Sequence, residues 1–135
     1  MPSDRQVMND KLFAAAREAM EMSYSPYSKF PVGAAILTKG GNIYAGCNIE
    51  NASYPQGWCA EPSAISRMIG SGEKEIAEVC VVAKRKDCAT PCGGCRQKLS
   101  EFSDANTLVH LCDQNGVAET WTLADMLPAS FDLEA

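Results

Sequence analysis

Apolar residues return at helical spacing through the opening stretch of the chain. Met8, Leu12, Ala15, Ala16, Ala19 and Met22 share one side of a helix from about Arg5 to Ser23. Ser25-Pro26 ends it, because the residue before a proline is pushed out of the helical region. The pattern then changes to strand formers. Phe30 to Thr38 and Asn42 to Cys47 flank Lys39-Gly40-Gly41, which predicts a β-hairpin. A second helix from about Ala60 to Ile69 carries Ala64, Ile65, Met68 and Ile69 on one side and stops at Gly70-Ser71-Gly72. Val79 to Ala83 is a short apolar run of the kind that fills the centre of a sheet. Gly93 to Phe102 predicts a third helix that buries Cys95, Leu99 and Phe102. Thr107 to Cys112 and Ala118 to Leu123 read as strands joined by Asp113-Gln114-Asn115-Gly116. That link is too short for a crossover helix, so the two strands should run antiparallel. The order helix, hairpin, helix, strand, helix, hairpin predicts an α/β fold, a three-layer α/β/α sandwich on a mixed five-stranded sheet.

Size and composition narrow the picture. The 135 residues suit a single domain, 1–135, with enough length for a sizeable core. A net charge of -5 argues against a surface that wraps nucleic acid, since such binding neutralises phosphates with Lys and Arg. No run of about eighteen apolar residues is present to span a membrane. The first residues, Met1-Pro2-Ser3-Asp4-Arg5-Gln6, are polar and lead straight into the first helical pattern, without a secretory signal's apolar core. Seven cysteines then point to a reducing, cytoplasmic setting, where clustered thiols bind metal more often than they pair.

The chemistry concentrates in two short segments. Cys59-Ala60-Glu61 opens the second helix, and Pro91-Cys92-Gly93-Gly94-Cys95 leads into the third. Helix N-termini favour thiolate over thiol, so two helices side by side can present Cys59, Cys92 and Cys95 to one ion. Three protein ligands around zinc leave a fourth position open, the mark of a catalytic centre. Glu61 is then a carboxylate that the metal does not need. A Cys or His ligand, a nearby Glu and a Cys-x-x-Cys pair form the pattern of the zinc nucleobase deaminases. Zinc at such a centre makes water acidic near neutral pH. Glu61 is placed to take the water proton, hand it to a ring nitrogen and protonate the departing amine. Two alternatives stand beside this reading: a redox pair at Cys92 and Cys95, or a closed structural zinc site with Cys88 or His110 as fourth ligand. Taken alone, His110 in its strand reads as a structural histidine. Cys47, Cys80 and Cys112 read as small buried hydrophobes, and Lys84-Arg85-Lys86 as a solvated loop.

Over almost its full length the chain resembles the small, homotetrameric cytidine deaminases. The blocks Tyr27-Ser28-Lys29-Phe30-Pro31-Val32-Gly33-Ala34-Ala35, Gly46-Cys47-Asn48-Ile49-Glu50-Asn51-Ala52, Cys59-Ala60-Glu61 and Pro91-Cys92-Gly93-Gly94-Cys95-Arg96-Gln97 carry the resemblance, together with Leu127-Pro128-Ala129-Ser130-Phe131. It implies one zinc per chain on Cys59, Cys92 and Cys95, with Glu61 catalytic. It implies Asn48 and Glu50 on the ribose hydroxyls, Phe30 stacking near the pyrimidine, and the Ala60 N–H on the base edge. It also implies that Tyr54 and Phe131 complete a neighbouring subunit's site. The expected activity is deamination of cytidine and deoxycytidine to the uridine product with release of ammonia, in pyrimidine salvage. The Asn48-Ile49-Glu50 block favours a free nucleoside over nucleic-acid strands and over blasticidin S-type substrates.

The chain departs from that family at one position. Tetrameric members usually carry Arg directly after the catalytic Glu, and this chain has Pro62. Three thiolates leave a divalent ion's ligand shell near -1, which an arginine could offset and proline cannot. Proline does suit the first helical turn. Arg96, directly after Cys95, is the first candidate to compensate, and Arg67 the second. Pro62 also keeps open a different aminated heterocycle as substrate. A noncatalytic zinc-stabilised binding protein is the reading from another class, and it leaves Glu61 without a role.

Overall fold

Side chains alternate across a strand, and in the computed structural model, which describes residues 2–133, the two sides of one sheet meet different helices. The elements are α1 (Asp4–Met20), β1 (Val32–Thr38), β2 (Ile43–Cys47), α2 (Ala60–Ser71), β3 (Ile76–Ala83), α3 (Gly93–Glu101), β4 (Leu108–Asp113), β5 (Gly116–Thr122) and α4 (Leu123–Met126), with a 3₁₀ turn at Tyr54–Gln56. The five strands lie in the order β2-β1-β3-β4-β5. Only the central β3–β4 pair is parallel; β1–β2, β1–β3 and β4–β5 are antiparallel. The link from β3 to β4 is long enough to hold α3, and the link from β4 to β5 is a tight turn. The Asp113 carboxylate accepts from Asn115 N and Gly116 N in that turn, at 2.7 and 3.1 Å.

Leu12, Ala16 and Met20 of α1 cover one side of the sheet, against Ala35, Leu37, Cys80, Val82 and Cys112. Ala60, Ala64, Ile65 and Met68 of α2 and Leu99 of α3 cover the other, against Ile36, Val79, Val81, Val109 and Leu111. The result is the three-layer α/β/α sandwich that the order of elements predicted. Two glycines set how closely the layers approach. A Cβ at Gly33 would lie 2.0 Å from the Ala16 carbonyl of α1, and one at Gly46 would lie 2.5 Å from the Ala64 nitrogen of α2. Hydrogen in place of a side chain lets a helix rest on the strand at each point.

Several boundaries differ from the sequence reading. α1 starts with Ser3 as N-cap, its hydroxyl accepting from Gln6 N at 3.1 Å, and ends at Met20. The helix therefore stops before Met22, which is 76% exposed, and Met20 is buried in its place. β3 begins earlier, at Ile76, whose N–H donates to the Phe102 carbonyl at 2.8 Å. Phe102 caps α3 and is half-buried rather than buried. α4 and the Tyr54–Gln56 turn are too short to leave a periodic signal. Among the described residues no helix is long and apolar enough to cross a membrane.

Candidate active site

Cys59 and Cys92 occupy the N-cap positions of α2 and α3, both with extended backbone, and Cys95 lies in the first turn of α3. Neither cap uses its side chain to close the helix, so both sulfurs remain free to face outward. The three Sγ atoms lie within 4.8 Å of one another. Tetrahedral zinc with Zn–S near 2.3 Å needs sulfurs about 3.8 Å apart, so the trio fits the ion, and soft thiolates suit it chemically. Cys59 is held well below the usual thiol range, at about 6, because the Cys95 thiol donates to it, helped by Cys92 and by the charge of Lys98. Cys95 moves upward as the donor of that pair and through burial.

Glu61 lies in the first turn of α2 and is only 4% exposed. Burial pushes its carboxyl up to about 7, and the negative Cys59 adds to the effect. Glu61 and the three sulfurs line a cavity of about 320 Å³ with Phe30, Asn48 and Ala60, a volume within the range of about 300–1,000 Å³ typical of small-molecule sites. The cavity opens beside the end of β3, where Ala83 leads into the loop that reaches Cys92.

Asn48 is more committed than its residue type suggests. Its Oδ1 accepts from Val32 N at 2.9 Å and from the Ser23 hydroxyl, and its Nδ2 donates to the Phe30 carbonyl at 2.9 Å. These bonds clamp the Phe30–Val32 segment and leave one amide N–H for a ligand, rather than donor and acceptor together. Glu50 faces a neighbouring depression with Tyr27, Ser28 and Tyr54. Its carboxylate accepts from Tyr27 N and Ser28 N at 2.9 and 3.1 Å, and from the Ser28 hydroxyl. The Ser28 hydroxyl bond above all holds its pKa below the ordinary glutamate value. Tyr54 is 75% exposed and meets Tyr27 edge to face at 6.1 Å. Phe131 is 69% exposed and lies in a separate depression near the end of α3, where its carbonyl accepts from Gln97 Nε2. Within one chain, then, Phe30, Asn48, Ala60 and Glu61 meet the sulfurs, while Glu50, Tyr54 and Phe131 lie outside that cavity.

Both arginines named from the sequence are engaged on backbone carbonyls. Arg96 Nε donates to the Pro91 carbonyl at 2.8 Å and NH1 to the Met126 carbonyl at 2.9 Å. Arg67 NH1 donates to the Ala45 carbonyl at 3.2 Å. Among the described residues neither arginine hydrogen-bonds a sulfur; Arg96 instead braces the segment before Cys92 against α4. The closed four-ligand alternative does not form either. Cys88 Sγ donates to Glu119 Oε2 at 3.0 Å, and His110 lies on the α1 side of the sheet, bonded to Thr120 and Glu78. Lys86, read from sequence as part of a solvated loop, lines the cavity with Thr90. Its position at the end of a central strand is the signal that could have found it.

Residues 7–111 match the family described as "Cytidine and deoxycytidylate deaminase zinc-binding region". The chain is similar to a cytidine deaminase of Sporosarcina psychrophila, 42% identical over 125 residues that cover 93% of this chain and 92% of that one. It is 40% identical over 131 residues to a cytidine deaminase of Halalkalibacterium halodurans, covering 97% and 96% of the two chains. Among solved structures, the cytidine deaminase of Burkholderia pseudomallei superposes with a TM-score of 0.85 at 37% identity, covering 90% of this chain and 98% of that one.

Proposed function

This chain belongs to the zinc-binding cytidine and deoxycytidylate deaminase family, and on that premise we propose the reaction it performs and the part each residue plays. It is a zinc-dependent cytidine deaminase: cytidine and water give uridine and ammonia. The observation that carries the residue assignment is the convergence of Cys59, Cys92 and Cys95 on one point beside the buried Glu61, inside a cavity that Phe30 also lines.

Cys59, Cys92 and Cys95 would hold the zinc, which would supply a Lewis acid that makes water acidic near neutral pH. Glu61 takes one water proton on its carboxylate and delivers it to N3 of the pyrimidine. It then carries the second water proton to the amino group on C4 as that group leaves. Both protons are accounted for, one on N3 and one in ammonia. Burial supports this role, because a carboxyl kept out of water gives and receives a proton near neutrality. The Ala60 N–H, at the start of α2, addresses the base edge, and Phe30 stacks near the ring. Asn48 contributes its remaining N–H to the ribose.

Glu50, two residues past Asn48, takes a ribose hydroxyl. Deoxycytidine is a second substrate, a reading supported by the match to a family described by both cytidine and deoxycytidylate. The chain works as a homotetramer in the cytoplasm, in pyrimidine salvage. Support for shared sites comes from Tyr54 and Phe131, large aromatic side chains left exposed and outside their own chain's cavity. The purified, zinc-loaded protein is mixed with cytidine and, separately, deoxycytidine, and ultraviolet absorbance is followed. Rapid loss with both is expected. No change at about one zinc per chain would overturn the cytidine assignment and move the search to other aminated heterocycles. Light scattering that returns the mass of a single chain would sink the tetramer.

A further inference from the structure

Three thiolates around a divalent ion leave the ligand shell near -1, so the centre gains from a cation held beside it. The two arginines nearest the ligands in sequence are engaged on carbonyl oxygens, Arg96 on Pro91 and Met126 and Arg67 on Ala45. Lys98 is placed differently. It lies one helical turn beyond Cys95 on α3, and its Nζ sits 4.6 Å from the centre of the Trp58 ring. Trp58 directly precedes Cys59, so the aromatic face that holds the ammonium is covalently tied to a metal ligand. An ammonium over an indole face is attracted by the ring's negative centre, with tryptophan the strongest partner for it. Residues three apart on a helix are surface neighbours, so Lys98 shares one face of α3 with Cys95. Neither Lys98 nor Trp58 lines the cavity that holds Glu61 and Phe30, so the pair approaches the sulfurs from outside the substrate's space.

We infer that Lys98, held over the Trp58 indole, balances the charge of the three-cysteine centre and slows loss of its zinc, acting through Cys59 as a positioning residue. The inference rests on the zinc reading above. Zinc release to a chromogenic chelator at low ionic strength tests it, in the wild type, Lys98→Met, Lys98→Arg, Trp58→Leu and the double variant. Release from Lys98→Met should be about two- to fivefold faster, the scale of an exposed cation–π or charge contact. Added salt should narrow the gap, because the interaction is screened. Lys98→Arg should restore slow release. Trp58→Leu should release faster than wild type, and the double variant no faster than Lys98→Met, because the ring then has nothing to hold. Lys11→Met, on α1 across the sheet, serves as control and should match the wild type. Wild-type release from Lys98→Met would overturn the inference, and independent effects multiplying in the double variant would overturn the role of Trp58. Should Trp58→Leu fold poorly, Trp58→Phe keeps an aromatic face and should retain slow release. A wild type that holds zinc yet leaves cytidine unchanged would sink the deaminase reading while leaving the Lys98 comparison standing.

Discussion

Beneath α1, Cys80 and Cys112 face one another with sulfurs 2.9 Å apart, and His110 is bonded at both ring nitrogens, to Thr120 at 2.8 Å and Glu78 at 2.6 Å. Across the same sheet, Cys59, Cys92 and Cys95 converge at the ends of α2 and α3 beside Glu61. Both sides hold cysteines and a buried titratable group. On the α1 side every polar atom of the histidine is spoken for, and the hydrogen bond to Cys112 together with burial drives the Cys80 thiol far above its usual range. On the other side the sulfurs sit at helix N-termini next to a cavity, where Cys59 is pushed down as the acceptor and Cys95 up as the donor of one pair. Placement at a helix end with access to space separates ligand from filler here; residue type does not.

The largest expected effect compares the two cysteine sets. Cys59→Ser removes a ligand from the trio, so zinc content should fall well below one per chain and cytidine turnover should be lost with it. Cys80→Ser buries a hydroxyl in the α1-side core and should cost about 1–3 kcal/mol of stability. Its zinc content and kcat should stay at the wild-type level. Metal analysis and thermal melting measure both. Full zinc in Cys59→Ser, or zinc loss in Cys80→Ser, would break the division between the two faces.

Next in size is the pair of buried titratable groups. Glu61→Gln keeps the shape of the side chain and removes its ability to carry a proton. General acid–base catalysis contributes about 10²–10⁴-fold, and one group serving twice belongs at the upper end, so kcat should drop about 10³–10⁴-fold with zinc retained. His110→Leu removes the hydrogen bonds to Thr120 and Glu78, each worth about 0.5–1.5 kcal/mol, while Glu78 keeps Arg5, so it should cost about 1–3 kcal/mol, with kcat little changed. The absorbance assay and a melting curve separate the two. A large kcat loss in His110→Leu with an unchanged melting temperature would reverse the roles assigned here.

What could be read in the sequence was what depends on neighbours in the chain. Cys59 and Glu61 two positions apart, and Cys92 and Cys95 at a helix start, announce themselves by spacing. The Lys39-Gly40-Gly41 hairpin and the antiparallel β4–β5 pair follow from turn chemistry and link length. Arg96 could not be placed because one of its partners is the Met126 carbonyl in α4, a helix of four residues with no period to detect. The commitment of the Asn48 oxygen and of one of its N–H groups depends on Ser23 and Phe30, brought to it only when the chain folds back after α1. Lys98 over Trp58 likewise joins two segments whose meeting is decided by the packing of α2 beside α3. Long-range backbone partners and through-space charge leave no mark on local spacing.

The smallest effect on catalysis, and the finest test of the division, comes from the two glycines at which helices rest on the sheet. In Gly46→Ala the new Cβ meets the Ala64 nitrogen at 2.5 Å and Ser63 Cβ at 2.6 Å. Ser63 N bonds the Cys59 carbonyl at 3.3 Å, so a shift of this turn moves Cys59 and Glu61 together. In Gly33→Ala the new Cβ meets the Ala16 carbonyl at 2.0 Å and the Met20 nitrogen at 2.7 Å, which displaces α1 instead. Backbone atoms cannot rotate away, so each variant should lose about 1–3 kcal/mol of stability, the usual cost of overpacking. Their kinetics should differ, because a misplacement of about 1 Å near the chemistry can cost up to about a hundredfold. Gly46→Ala should lower kcat/KM by about ten- to a hundredfold, and Gly33→Ala by less than about threefold at a temperature where both are folded. Equal losses of kcat/KM would show that the sheet transmits strain freely between its faces, and the separation of an inert side from a reactive one would then be one of composition alone.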